Sequence, residues 1–281
     1  MPCGKDRLKG NRLRSTVWER LTRSGLFLDQ TDLRLELDRA QIERFYNPLA
    51  TVLLSMSGSA PRLMVAVAGP PGSGKTAFAT ILVAVANAEA DDQLGVLVGL
   101  DGWHYPNAYL ATHFIQWSGE RVALRDIKGA PETFDADAAY HCLSQIRGGG
   151  QVSFPVYSRR SHQPIAGGIV ASSHRLVVAE GNYLLLGEDP WSRFRQLFDV
   201  RVFISASPET LVESLRERHL RVGKTLAETE RQIGLVDLPN ARRVAPSTAH
   251  AHVIVHKADA RRIERIETEL TTTSFPGTVM S

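Results

Sequence analysis

Apolar residues in this chain gather into short unbroken runs, and the stretches between them mix apolar with charged positions. Leu63–Ala68 (LMVAVA) and Leu176–Glu180 (LVVAE) hold no polar residue before Glu180, so neither has a face suited to water, and each predicts a strand covered on both sides. Gly95–Leu100, Asp199–Ile204 and His252–Val255 predict three further strands. Lys75–Ala90, Phe134–Ile146, Pro208–Arg221 and Leu226–Ile233 predict helices; Asp135 or Asp137 caps the second of these, Ser207 caps the third, and Gly148 to Gly150 stops the second. Val152–Tyr157 is extended and runs into the polar SRRSHQP, the stretch from Asp101 to about Thr133 reads as irregular, and a helix is expected to close the chain after Val255. Strands alternating with helices make an α/β fold: a mostly parallel central sheet with helices on both faces.

Ahead of the sheet, Asp29–Met56 spaces Leu33, Leu35, Leu37, Ile42, Phe45, Leu49, Val52 and Leu53 among charges without a glycine, which predicts a helix broken or kinked at Pro48. SGSAPR (Ser57 to Arg62) reads as a linker. The chain divides there into a basic tail with a helical extension (1–57) and a main domain (58–281). The extension lies outside the sheet and is free to pack on it or on a partner subunit, which leaves a homodimer open.

Charge sharpens that division. The 281 residues carry a formal +3, but residues 1–24 hold seven Lys and Arg against Asp6 and Glu19, a local +5 that leaves the remainder at −2. A near-neutral body argues against broad nucleic-acid binding, which needs a clustered basic face, and the basic start reads as a solvated tail. No apolar run reaches the length of about eighteen residues that a membrane-spanning helix requires. Cys3 and Cys142 offer neither metal-ligand spacing nor a disulfide framework and suit a reducing, cytoplasmic setting.

The chemistry starts where the first buried strand ends. GPPGSGKT (Gly69, Pro70, Pro71, Gly72, Ser73, Gly74, Lys75, Thr76) satisfies G-x-x-x-x-G-K-[ST], and with Ala77 it links a strand to an Ala-rich helix, the context a phosphate-binding loop demands. Its glycines let backbone N–H groups turn inward around phosphate, the helix N-terminus adds its dipole, Lys75 is placed for the β and γ oxygens, and Thr76 Oγ1 for Mg²⁺. Pro70 and Pro71 stiffen the side of the loop that donates nothing. Ligands of an open parallel sheet sit at the carboxyl ends of its strands, where two acids are expected. Asp101, after Gly95–Leu100, is a candidate general base, and Glu180, ending LVVAE, is a candidate metal-side carboxylate. His104, Tyr105 and His162 fall in loops near the same mouth.

VAVAGPPGSGKT, LDGWHYPN, KGAPETFD, PVYSRR and VVAEGNYLLL follow the order found in the pantothenate kinase, uridine kinase and phosphoribulokinase superfamily of P-loop kinases. The chain resembles most closely its bacterial pantothenate-kinase-like branch, often labelled nucleoside/nucleotide or fructose-transport-system kinase, over about Phe45 to Val255; FYNPLATVLL is similar to the helix that precedes the loop in pantothenate kinases. The resemblance implies transfer of the ATP γ-phosphate to a hydroxyl of a small-molecule acceptor, with Asp101 as base and Lys75, Thr76 and Glu180 at ATP and Mg²⁺. It places Lys128, Tyr157 and Arg159 at the acceptor, with Arg159 standing where pantothenate kinases have His; His104, three residues beyond Asp101, is a further acceptor candidate by its position alone. The resemblance also makes 207–235 a lid whose arginines clamp phosphate. Arg216, Arg218 and Arg221 cannot share one helix face, and Arg216 with Arg221 are the pair expected at the phosphates. LVDLPNARRV resembles the branch's NDLPNA segment, with Val236 in place of Asn. Among acceptors the order is sugar or polyol, then nucleoside, then pantothenate.

Two readings of other classes stand beside the kinase. A GTPase switch needs D-x-x-G and N-K-x-D; Asp126-Ile-Lys-Gly129 follows no buried strand, and His256-Lys-Ala-Asp259 has His where the guanine-reading Asn belongs. A regulatory protein that keeps ATP as a structural ligand would not need Asp101 and Glu180.

Overall fold

The computed structural model of the protein describes residues 16–28, 33–58, 61–117, 119–158, 161 and 163–270. Part of the basic tail proves to be structured. Thr16 caps α1 (Val17–Ser24) in a capping box, its hydroxyl accepting from the Glu19 N–H and the Glu19 carboxylate accepting from the Thr16 N–H. Leu21 is buried, and Arg20 reaches both the Ala88 carbonyl and Asp91. The helix expected over 29–56 starts only at α2 (Arg39–Gln41), where the Asp38 carboxylate accepts from the N–H groups of Ala40 and Gln41; residues 35–38 form no helix, and 29–32 lie outside the described residues. A π turn (Ile42–Tyr46) carries it into α3 (Asn47–Ser57). Pro48 makes no break: the π turn moves the Asn47 N–H to the Ile42 carbonyl, and the proline falls in the first turn of α3, where its missing N–H costs little.

β1 (Leu63–Ala68) leads through the phosphate-loop sequence to α4 (Lys75–Ala90) and β2 (Gly95–Gly99). The stretch read as irregular contains α5 (Asn107–Thr112) and a hairpin of β3 (Phe114–Trp117) with β4 (Glu120–Ala123). After α6 (Ala136–Arg147), capped by Asp135, come β5 (Val152–Ser158) and β6 (Gln163–Ala171), an antiparallel pair outside the main sheet. Then follow β7 (Leu176–Glu180), β8 (Val200–Ser205), α7 (Pro208–Arg221), α8 (Leu226–Gln232), a π turn (Ile233–Asp237), α9 (Leu238–Val244), β9 (Val253–Lys257) and β10 (Ile263–Thr268).

The main sheet has the order β10-β9-β8-β1-β7-β2, parallel except for β10. Alternation along β1 supplies both cores: Met64, Ala66 and Ala68 pack with α6 and the aromatic group around Trp191, while Leu63, Val65 and Val67 pack with α4, α3 and Leu21 of α1. The helical extension and the sheet thus bury the same apolar surface. β10 replaces the helix expected to close the chain. Ile263 and Ile266 are both buried at a helix-like spacing of three, but a bulge between Ile263 and Arg265 resets the strand's alternation and brings both inward. Among the described residues no helix is long and apolar enough to cross a membrane.

Candidate active site

Parallel pairing of β1, β2, β7, β8 and β9 brings their carboxyl ends to one edge of the sheet, where Gly69, Glu180, Asp101 and Lys257 leave the strands. β1, buried at every position, feeds the loop directly. Gly69, Gly72 and Gly74 have φ of 152°, 82° and 82°, and Gly74 in the left-handed region is the N-cap of α4. Lys75 is buried, and its ammonium turns back to donate to the Pro70 carbonyl at 3.0 Å. Burial pulls it down to about 8, with Glu180 and Asp101 opposing and Arg218 adding to the fall. A buried ammonium held by one carbonyl is poised for an anion. Ser73 Oγ is buried in the same loop with no hydrogen-bond partner among the described residues.

Thr76 Oγ1 donates to Glu180 Oε1 at 3.2 Å, and Glu180 is buried at the end of β7 beside Gly99. A hydroxyl and one carboxylate are hard oxygen donors in small number, which fits Mg²⁺ because that ion keeps several waters and takes few protein ligands.

Asp101 lies in a 3₁₀ turn (Leu100–Trp103) after β2 and is exposed. The turn is fixed by His104, whose N–H and Nδ1 both bond the Asp101 carbonyl, at 3.2 and 3.0 Å. That bond requires the proton on Nδ1. Burial lowers the pKa of His104 against the opposing effect of Asp101, and the neutral ring packs on Phe134 at 3.8 Å and near Tyr157 at 5.2 Å between centroids. Lys128 donates to Asn107 Oδ1 at 2.7 Å and stands 5.2 Å from the Tyr157 ring; burial lowers it too, with Asp101 opposing. Asp101, His104, Lys128 and Tyr157 are therefore one cluster, linked through the charge of Asp101 to Lys75.

α7, expected to lie in a lid, places its arginines differently from expectation. Leu211 and Leu215 of α7 face the loop, since a Cβ on Gly72 would lie 2.8 Å from Leu215 Cγ and 2.9 Å from the Leu211 carbonyl. At about 100° per residue, Arg218 stays near that face, whereas Arg216 and Arg221 point roughly 90° or more away from it. Arg218 is the arginine of α7 whose charge acts on Lys75, and it lies 3.6 Å from Asp237. Arg216 pairs with Glu230 of α8 at 2.7 Å and Arg221 pairs with Glu217, so both are engaged by α7 and α8 themselves. Asp237 also takes a 2.8 Å contact from buried His219, tying α7 to the π turn before α9. Val236 is buried, and Asn240 is buried with its Oδ1 unpartnered among the described residues. Arg159 and His162 lie outside the described residues, and Tyr105 stacks instead on Tyr109 at 4.3 Å. Sequence reasoning missed Asn107, Phe134 and Asp237 as supports of the site; their one sequence signal was nearness to residues already singled out.

A model of the phosphoribulokinase / uridine kinase family matches residues 64–264. YggC of Escherichia coli (strain K12), described as uncharacterized, is 29% identical over 232 residues, 82% of this chain and 93% of that protein. A Schizosaccharomyces pombe protein described as a putative uridine kinase is 26% identical over 201 residues, 70% of this chain and 83% of its own length. Among solved structures, a Silicibacter sp. TM1040 protein described as a putative fructose transport system kinase superposes with a TM-score of 0.64 at 28% identity, covering 72% of this chain and 94% of that one.

Proposed function

Because the chain belongs to the phosphoribulokinase / uridine kinase family, we propose that it transfers the γ-phosphate of ATP to a hydroxyl of a small metabolite, with a sugar or polyol as the favoured acceptor. The observation that carries this reading is the cluster at Asp101, whose charge acts on Lys75 on the phosphate side and on His104 and Lys128 on the other. A group that accepts a proton from an alcohol has to stand between acceptor and phosphate, and the charge of Asp101 acting on Lys75 as well as on His104 and Lys128 supports that role. Lys75 would exchange the Pro70 carbonyl for nucleotide phosphate, and Arg218 would add a second positive charge from the lid. Lys128 and His104 orient the acceptor around the Asp101 turn. Thr76 and Glu180 would hold Mg²⁺, which supplies charge compensation at the phosphates when bound.

The preference for a polyol rests on the kind of surface around Asp101. Tyr157 offers a ring face, Asn107 and Lys128 offer donors, and Asp101 accepts, a mixture suited to several hydroxyls on a small carbon frame. The likeness to the fructose-transport-system protein points the same way, while the uridine kinase likeness keeps a nucleoside next in order. The test is ADP release from ATP with Mg²⁺ over a panel of sugars, polyols, nucleosides and pantothenate. Acceptor-dependent release with a sugar or polyol is expected; release only with a nucleoside or pantothenate would reassign the acceptor, and none with any would favour an ATP-binding regulatory protein.

A further inference from the structure

HKAD, which fails as a guanine-reading motif, returns at the site by another route. β9 is parallel to β8, so Lys257, its last residue, leaves the sheet at the edge that also carries the phosphate loop. The turn that follows is closed by three bonds: Ala258 N–H to the Arg262 carbonyl at 2.9 Å, and the N–H groups of Arg261 and Arg262 to Asp259 Oδ1 at 2.9 and 2.8 Å. The Arg262 guanidinium adds a fourth, to Asp259 Oδ2 at 2.7 Å. Asp259 therefore serves its own turn and is not presented to a base.

Gly74 packs against this turn. A Cβ at Gly74 would lie 3.6 Å from the Ala260 carbonyl and 4.0 Å from Lys257 Nζ. Lys257 is half-buried, and its ammonium has no hydrogen bond or ion pair among the described residues. Asp259, the carboxylate whose charge acts on it, is bonded to Arg261 and Arg262 in the turn. A partly desolvated cation with no bonded partner is costly, and here it stands beside a helix N-terminus that also favours an anion.

We propose that Lys257 is a second nucleotide-binding lysine, which pairs with the α/β-phosphate side of the bound nucleotide at the Gly74 end of the loop. The inference rests on the kinase reading above, and it divides the labour between two lysines: Lys75 toward β and γ, Lys257 toward the phosphates nearer the ribose. Burial pulls the Lys257 ammonium down to about 8, with Asp259 opposing, as suits a charge that lacks its partner.

Calorimetric titration of the full chain with ATP and with ADP, in the wild type, Lys257→Met and Lys75→Met, separates the roles. Lys257→Met is expected to weaken ATP and ADP by the same factor, about tenfold or more, as for loss of a charge-assisted contact. Lys75→Met is expected to weaken ATP more than ADP. Unchanged affinity in Lys257→Met, or a loss confined to ATP, would overturn the assignment. Thermal unfolding without nucleotide guards against a merely structural lysine: Lys257→Met should be at least as stable as the wild type, and a marked drop in its midpoint would also overturn the proposal. A wild type that binds neither nucleotide would defeat the kinase reading itself, an outcome distinct from a wild type that binds both and a variant that binds equally well.

Discussion

Single residues at the sheet edge work as charges placed against the cost of burial. Asp101→Asn keeps the shape of the 3₁₀ turn, since the turn is held by the Asp101 backbone carbonyl and His104, but removes the proton acceptor. It is expected to retain ATP binding while acceptor-dependent ADP release falls by about a hundredfold or more; full retained activity would show that another group takes the proton. The two lysines near the loop carry a stability cost with a defined pH sense. Lys257 has a folded-state pKa of about 8 against an ordinary 10.5, so its buried charge destabilises the fold fully below about pH 8, and the penalty fades as pH rises toward 10.5. The gain in unfolding midpoint for Lys257→Met should accordingly be largest at pH 7 and shrink in melts run between pH 8 and 10.5. Lys75, Thr76, Asp101 and Glu180 were legible in sequence because a glycine-rich loop and a strand ending in an acid are local patterns. The assignment among Arg216, Arg218 and Arg221 was not, because it depends on which face of α7 meets the loop.

At the scale of elements, the contact between α7 and Gly72 decides how α7 sits on the phosphate loop. Gly72 has φ of 82° and no room for a methyl group between Leu215 and the Leu211 carbonyl. Gly72→Ala should lower stability by about 1–3 kcal/mol and displace α7 from the loop. The expected kinetic signature is a raised KM for ATP with less change in the acceptor KM, measured by ADP release at varied concentrations of each; a greater effect on the acceptor would place the lid contact elsewhere. Elements built from continuous apolar runs, β1 and β7 above all, stood where the hydrophobic pattern put them. The errors lay where long-range contacts override local spacing: the bulge that makes a strand of Ile263–Thr268, and the π turn that lets Pro48 pass without a break.

For the whole molecule, the N-terminal helices are part of the core despite lying outside the sheet. Leu21, Ile42, Phe45, Leu49 and Leu53 pack with Val65, Val67 and Leu82, and Arg20 covers the Ala88 carbonyl near the end of α4. Deletion of residues 1–38 removes Leu21 and that cap together, and should lower the thermal midpoint and expose apolar surface to a dye such as ANS; an unchanged melt would mean that α1 contributes nothing to the core. The sequence by itself determined the α/β class, the phosphate loop and the acids at two strand ends, because apolar runs, glycine spacing and helix caps act over a few residues. Only the tertiary structure decided that β9 delivers Lys257 to the edge that carries Gly69, Asp101 and Glu180, that Arg218 is the arginine on the face of α7 that meets the loop, and that the Lys257 ammonium stands beside Gly74 with no hydrogen bond or ion pair among the described residues. Those relations join residues far apart in the chain, and they are set by strand order and by which helix face is buried, neither of which a local pattern contains.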